Sequence, residues 1–190
     1  MKTIEFNRAE MMRRVARFRE LKPLPTQTDS AVPLAAKDIV YARKLLSVIG
    51  VETGATPVSS NAPIVGAAGM AMTLAVCPPG QGPELHAHVK TYETFTVLRG
   101  RFEVRWNDEG NERLELEEFD TISVPPGVCR AFRNIGDQEG ILQVLITGGV
   151  HDMQDIDFAR RIGRELEAIS PDARAYFEKA GFTFTASRGG

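Results

Sequence analysis

Histidine is scarce in this chain, with three in 190 residues. Cysteine is scarcer, and Cys77 and Cys129 do not form a CxxC pair. That excludes a disulfide framework and a thiolate zinc knuckle, and it points to a reducing, cytoplasmic setting. Charge of one sign is also missing. The net charge of −2 gives no bulk field favouring nucleic acid or an anionic membrane. No apolar run approaches the length of a membrane span. The opening "MKTIEFNRAEMMRR" turns charged before an apolar core develops, which argues against a secretory signal. No phosphate-cradling glycine loop or nucleophile elbow occurs. Where histidine is so rare, its placement carries information.

What is present has three textures. Residues 1–60 begin with "NRAEMMRRVARFREL", which reads as an amphipathic helix. Asn7 and Glu10 stand at capping-box spacing, and Met11, Val15 and Phe18 recur along one face. A Pro-rich connector follows. "ARKLLSVIGVETG" reads as a strand, with a helix as the alternative. Residues 61–150 are β-rich. "GMAMTLAVCPPG" is a strand closed by a Pro-Pro-Gly turn, and "YETFTVLRGRFEVRW" is two strands meeting near Gly100. Many short strands with regular turns argue for a barrel or sandwich. Residues 151–190 return to helix. Phe158, Ile162 and Leu166 recur every fourth position, Ser170-Pro171 starts a second helix, and Gly181 suits its end.

His86 and His88 are two apart and project to one side of a strand. Two imidazoles on one face can reach one cation at about 2.1 Å. Glu93 follows after a bend, and an antiparallel return brings it to the same point. Two imidazoles and a carboxylate leave coordination positions open. Hydrogen-bonding histidines beside an ordinary strand glutamate are the plain alternative. Cys129 alternates away from its neighbour Arg130 and reads as core, as do Cys77, Met70 and Met72. Phe95, Phe102, Trp106 and Phe132 line or fill the barrel, and Gln143 is a candidate polar wall. His151 and Asp152 are candidates for a pocket rim.

The run Gly80, His86, His88, Glu93, Gly100 resembles the first signature of the cupin superfamily. "FDTISVPPGVCRAFRN" resembles the second at Pro125, Gly127 and Asn134. It departs at Phe119, where the family has glycine, and at Arg130, where the family has its fourth ligand, a histidine. The resemblance implies a mainly β fold: a single cupin-type jelly-roll barrel with helical extensions at both ends. It also implies a metal on His86, His88 and Glu93.

Arg130 is the informative departure. A guanidinium cannot ligate a metal. In one reading Arg130 takes the cation's place and pairs with Glu93, giving a metal-free binding or sensing module. In the other, one divalent transition metal sits on the three remaining ligands. Iron is favoured, with manganese, nickel and zinc open. Arg130 then receives a substrate carboxylate. That second reading implies an enzyme acting on a small organic acid or an enolisable oxo compound, with dioxygenase-like chemistry foremost. A storage role ranks last. The expected partners are a small-molecule substrate and a second copy in a homodimer, not nucleic acid or membrane.

Overall fold

The computed structural model describes residues 1–51, 61–66, 69–148 and 155–187. Its strands run in chain order as β1 (Lys44–Gly50), β2 (Ile64–Val65), β3 (Met70–Cys77), β4 (His86–His88), β5 (Tyr92–Arg99) and β6 (Phe102–Trp106). They continue as β7 (Glu112–Leu116), β8 (Thr121–Val124), β9 (Arg130–Asn134), β10 (Gly140–Thr147), β11 (Ile156–Ala159) and β12 (Thr183–Ala186). One sheet has the order β2-β1-β3-β10-β5-β8 and the other β12-β11-β4-β9-β6-β7. Two facing sheets of this order make a cupin-type jelly roll. The expected strand over "ARKLLSVIG" is β1, antiparallel to β3.

Alternation decides which side chains enter the space between the sheets. On β5, Glu93, Phe95 and Val97 are buried, while Thr94 and Thr96 face out and bond Ser123 and Thr121 of β8 at 2.8 and 2.9 Å. On β9, Phe132 joins the interior cluster with Phe95, Phe102, Val104, Leu142 and Val144. Ala131 faces the opposite way, into a second cluster outside the barrel. That outer cluster is covered by α3 (Leu34–Val40), α4 (Arg160–Ile169) and α5 (Ala173–Lys179). Ile162, Leu166 and Phe177 are fully buried there. Gly100, at φ 91°, lets the chain cross from β5 in one sheet to β6 in the other, and a side chain there would crowd Gly140 Cα at 3.3 Å.

Three expectations are corrected. The N-terminal helix α1 spans only Arg8–Met12. Its Asn7–Glu10 capping box forms, but Met11, Val15 and Phe18 stay exposed, so its apolar face has no surface to pack on. Phe158 lies on β11 rather than on the helix of Ile162 and Leu166. Gln143 points outward, donating to Met72 Sδ at 3.1 Å, because Leu142 and Val144 take the inward positions. The two sheets take in β1 before residue 61 and β11 and β12 after residue 150. His151 and Asp152 lie outside the described residues.

Phe119 sits at φ 75° and is 77% exposed. A left-handed conformation is natural to glycine and strained for phenylalanine by about 1 kcal/mol. This explains why a glycine pattern reads through at this turn. Phe119→Gly is therefore expected to raise thermal stability by roughly 1 kcal/mol, less the entropy that glycine adds to the unfolded chain. Calorimetric melting checks this, and a lower melting temperature would show that the turn is not strained.

Candidate functional site

Strand register assembles the site. In the second sheet, Phe158 of β11 pairs with His86 of β4, His86 pairs with Arg130 of β9, and Arg130 pairs with Trp106 of β6. These four side chains form one cross-strand row on one face. In the first sheet, Glu93 of β5 lies between Ile146 of β10 and Val124 of β8. The two rows meet across the barrel, so residues far apart in sequence converge. His86, His88 and Glu93 are buried at 6%, 5% and 6% exposure, and Arg130 is fully buried.

Both imidazoles are oriented from behind. His86 Nδ1 lies 2.8 Å from the Glu84 carbonyl oxygen. A carbonyl only accepts, so Nδ1 carries the proton and Nε2 is bare in the neutral ring. His88 Nδ1 lies 3.1 Å from Asp155 Oδ2 and 3.0 Å from Thr91 Oγ1. Asp155 also accepts from the Thr91 hydroxyl and the Lys90 backbone N–H. Burial works against ionisation of Asp155, but the bonds from His88, Thr91 and Lys90 bring its pKa down to about 2. It is therefore a carboxylate at neutral pH and fixes the His88 tautomer. Burial pushes the His88 pKa down, against the pull of Glu93 and Asp155.

The two free nitrogens point at one carboxylate. His86 Nε2 is 3.6 Å from Glu93 Oε2 and His88 Nε2 is 3.7 Å from Glu93 Oε1. Both distances exceed a hydrogen bond. The potential ligand atoms of these three residues all lie within 4.8 Å of one another. Donors around one ion at about 2.1 Å stand roughly 3 to 4 Å apart, so a small side-chain adjustment closes the set.

Arg130 points inward beside Phe132. Its Nε donates to Glu93 Oε2 at 2.8 Å and its Nη1 to the Val128 carbonyl at 3.0 Å. Its Nη2 is buried with no hydrogen-bond partner. The ion pair of the metal-free reading is thus formed in the structure. It occupies one carboxylate oxygen and leaves Oε1 facing His88. Burial opposes ionisation of the Glu93 carboxyl, but the facing His88 ring and the Arg130 guanidinium outweigh it and hold the group below the ordinary carboxylate range. The Phe95 and Phe132 rings, 5.1 Å apart edge to face, belong to the barrel interior that also takes in Val124 and Ile146. The His86 ring lies 5.2 Å from Phe158.

The sequence reading named His86, His88, Glu93 and Arg130, and the fold brings all four together. It missed Asp155 and Thr91, which act on His88 from behind. Asp155 is 67 residues from His88, and no local pattern marks it. Cys77 and Cys129 are buried free thiols, with burial pushing their pKa values up to about 12 and about 11. Neither carries thiolate character. Asn134 ties down loops, donating to the Cys77 and Gln138 carbonyls at 2.8 and 2.7 Å.

The chain is 30% identical to the polyketide synthase CurC of Streptomyces cyaneus over 112 residues, covering 59% of this chain and 68% of that protein. It is 26% identical to the uncharacterized protein MJ1618 of Methanocaldococcus jannaschii over 117 residues, covering 62% and 80%. Among solved structures, the cupin domain of Schizosaccharomyces pombe Cnp3 is similar at 18% identity and TM-score 0.43, covering 55% of this chain and 65% of that one. The DMSP lyase DddQ of Ruegeria pomeroyi is similar at 22% identity and TM-score 0.45, covering 56% and 47%. The chain thus spans less than two thirds of either solved structure. The family model for the cupin domain matches residues 73–146, from within β3 to within β10, the stretch that holds His86, His88, Glu93 and Arg130. With two sheets closed around that stretch and both signatures seated on its strands, the chain belongs to the cupin family.

Proposed function

We propose that this chain is a cupin enzyme acting on a small organic acid or an enolisable oxo compound. His86, His88 and Glu93 hold one divalent transition metal in this reading, and Arg130 receives the substrate carboxylate. One observation carries it: two imidazole Nε2 atoms face the two oxygens of a single carboxylate at 3.6 and 3.7 Å, too far for a hydrogen bond. The other nitrogen of each ring is already engaged by an acceptor. This is how ligating histidines are held. The donor set suits ferrous iron, and manganese, nickel or zinc fit the same atoms. A bound ferrous ion would supply oxygen activation for a dioxygenase-like oxidation.

The chain's own groups do the rest. Glu93 and Arg130 cancel in charge, so a dication alone would leave a buried excess of positive charge. An anionic substrate removes that excess, so metal and organic acid are expected to bind jointly. Arg130 Nη2, buried without a partner, is the donor left for the substrate carboxylate. Phe95 and Phe132 belong to the apolar interior beside it and keep water away from the reacting atoms.

A metal-free ligand-binding module is the second reading, favoured by the 2.8 Å Arg130–Glu93 bond. Metal analysis by mass spectrometry separates the two. Untagged protein loaded with ferrous iron and a carboxylic acid should retain close to one equivalent, lost in His86→Ala and Glu93→Ala. Retention below about a tenth of an equivalent would leave the metal-free module standing.

A further inference from the structure

We infer that the C-terminal segment from Asp155 onward is a working part of the site: it holds both histidines from behind, so that its docking and the filling of the site are one equilibrium. The segment lies beyond residues 73–146, the stretch matched as a cupin domain. The inference rests on the metal reading proposed above.

Strand pairing is its first ground. β4, which carries both histidines, is three residues long. Among the described residues it meets β9 at one register pair, His86 with Arg130. It meets β11 at three: Ile156 with His88, Asp157 with Ala87 and Phe158 with His86. Two backbone bonds extend that ladder past both ends of β4. Val89 N donates to the Asp155 carbonyl at 2.8 Å, and Ala159 N to the Leu85 carbonyl at 3.1 Å. The strand with the histidines is therefore held by the C-terminal strand more than by β9.

Side chains are the second ground. Asp155, 2% exposed, faces His88 Nδ1 at 3.1 Å and also accepts from the Thr91 hydroxyl and the Lys90 backbone N–H. The buried Phe158 ring lies 5.2 Å from the His86 ring and stacks on Phe184 of β12 at 5.6 Å. Glu84, whose carbonyl holds His86 Nδ1 at 2.8 Å, is reached from the same segment. Its carboxylate pairs with Arg161 of α4 at 3.5 Å, alongside Arg105 at 3.3 Å and Arg133 at 3.2 Å. Asp155 and Phe158 are thus positioning residues, acting through the rings rather than on an ion. Such outer partners set the tautomer and the aim of ligating imidazoles. By reciprocity, an ion seated on both rings tightens β11 in turn.

Three measurements on the full chain test this. In the metal-free protein, ring nitrogen chemical shifts should show His88 protonated at Nδ1, and Asp155→Ala should move it toward the Nε2-protonated form. A merely structural role for Asp155 would leave the ring unchanged. Calorimetric titration with Ni(II) should show at least tenfold weaker binding in Asp155→Ala. Asp155→Asn should restore most of it, since its amide oxygen still accepts from Nδ1. Saturating Ni(II) should slow hydrogen exchange of wild-type residues 156–159 and 183–186 at least tenfold and leave β7 unchanged. This last arm needs no variant, so it decides even where a substitution unfolds the chain. A His88 ring indifferent to Asp155→Ala would overturn the inference, as would full Ni(II) affinity in that variant or unaltered exchange in β11 and β12. A wild type that binds no Ni(II) would instead end the metal reading and with it the linkage, while the His88 tautomer would still decide whether Asp155 positions the ring.

Discussion

Arg130→His is expected to tighten binding of divalent metal at least a hundredfold and to make that binding independent of added organic acid. The register of β4 and β9 places residue 130 directly across from His86, on the same face. A histidine there presents a third imidazole, and so a fourth donor, to the space that His86, His88 and Glu93 already share. The substitution also removes a full positive charge. At roughly 5 Å and an effective dielectric near 20, that charge opposes a dication by several kcal/mol, about 3 kcal/mol per unit of ion charge. It frees Glu93 Oε2, which Arg130 Nε now occupies at 2.8 Å. Titration with Mn(II) and Ni(II) followed by calorimetry reads the change directly. Equal affinities for wild type and variant would show that Arg130 does not compete for the site.

Glu93→Ala is expected to be the most destabilising single change in the site, by about 3–5 kcal/mol. The cause is the fully buried Arg130 guanidinium left without its carboxylate. Denaturant melts at neutral pH check the size of the loss. The double replacement Glu93→Gln/Arg130→Met should recover most of it, since no unpaired charge then remains. The sign with pH follows from the lowered Glu93 pKa. A depressed carboxyl contributes stability that is fully present above its unfolded value of about 4.3 and is lost as pH falls through the folded value. Wild type should therefore shed this contribution in acid, and Glu93→Ala should show a shallower acid limb. An acid limb identical in both proteins would mean that Glu93 is not ionised in the fold.

The sequence carried the barrel because strand alternation is local. Phe102 and Val104 against Glu103 and Arg105 can be read without knowing any neighbour, and they are buried and half-buried as that pattern requires. The same logic turned Arg130 inward, since Phe132 shares its side. What failed depended on tertiary partners. The helix over "NRAEMMRRVARFREL" has the right periodicity but nothing apolar to lie against, so only its capped first turn persists. β11 and β12 are four residues each and pair in parallel with one another, a contact set by the fold rather than by pattern. Asp155 could not be foreseen because its meaning comes from His88, Thr91 and Lys90 arriving from another strand and turn. Arg130 itself left two chemistries open, since the same guanidinium serves an internal ion pair and a ligand's carboxylate.

The account turns on whether a cation and an organic acid enter this barrel together. Calorimetric titration of Mn(II) into the metal-stripped wild-type protein, with and without millimolar pyruvate or malonate, measures that coupling. The expected result is one site whose affinity rises at least tenfold when the acid is present. By reciprocity the acid should gain the same factor from the metal. Heat of metal binding that is absent under both conditions, or identical with and without the acids, would contradict it.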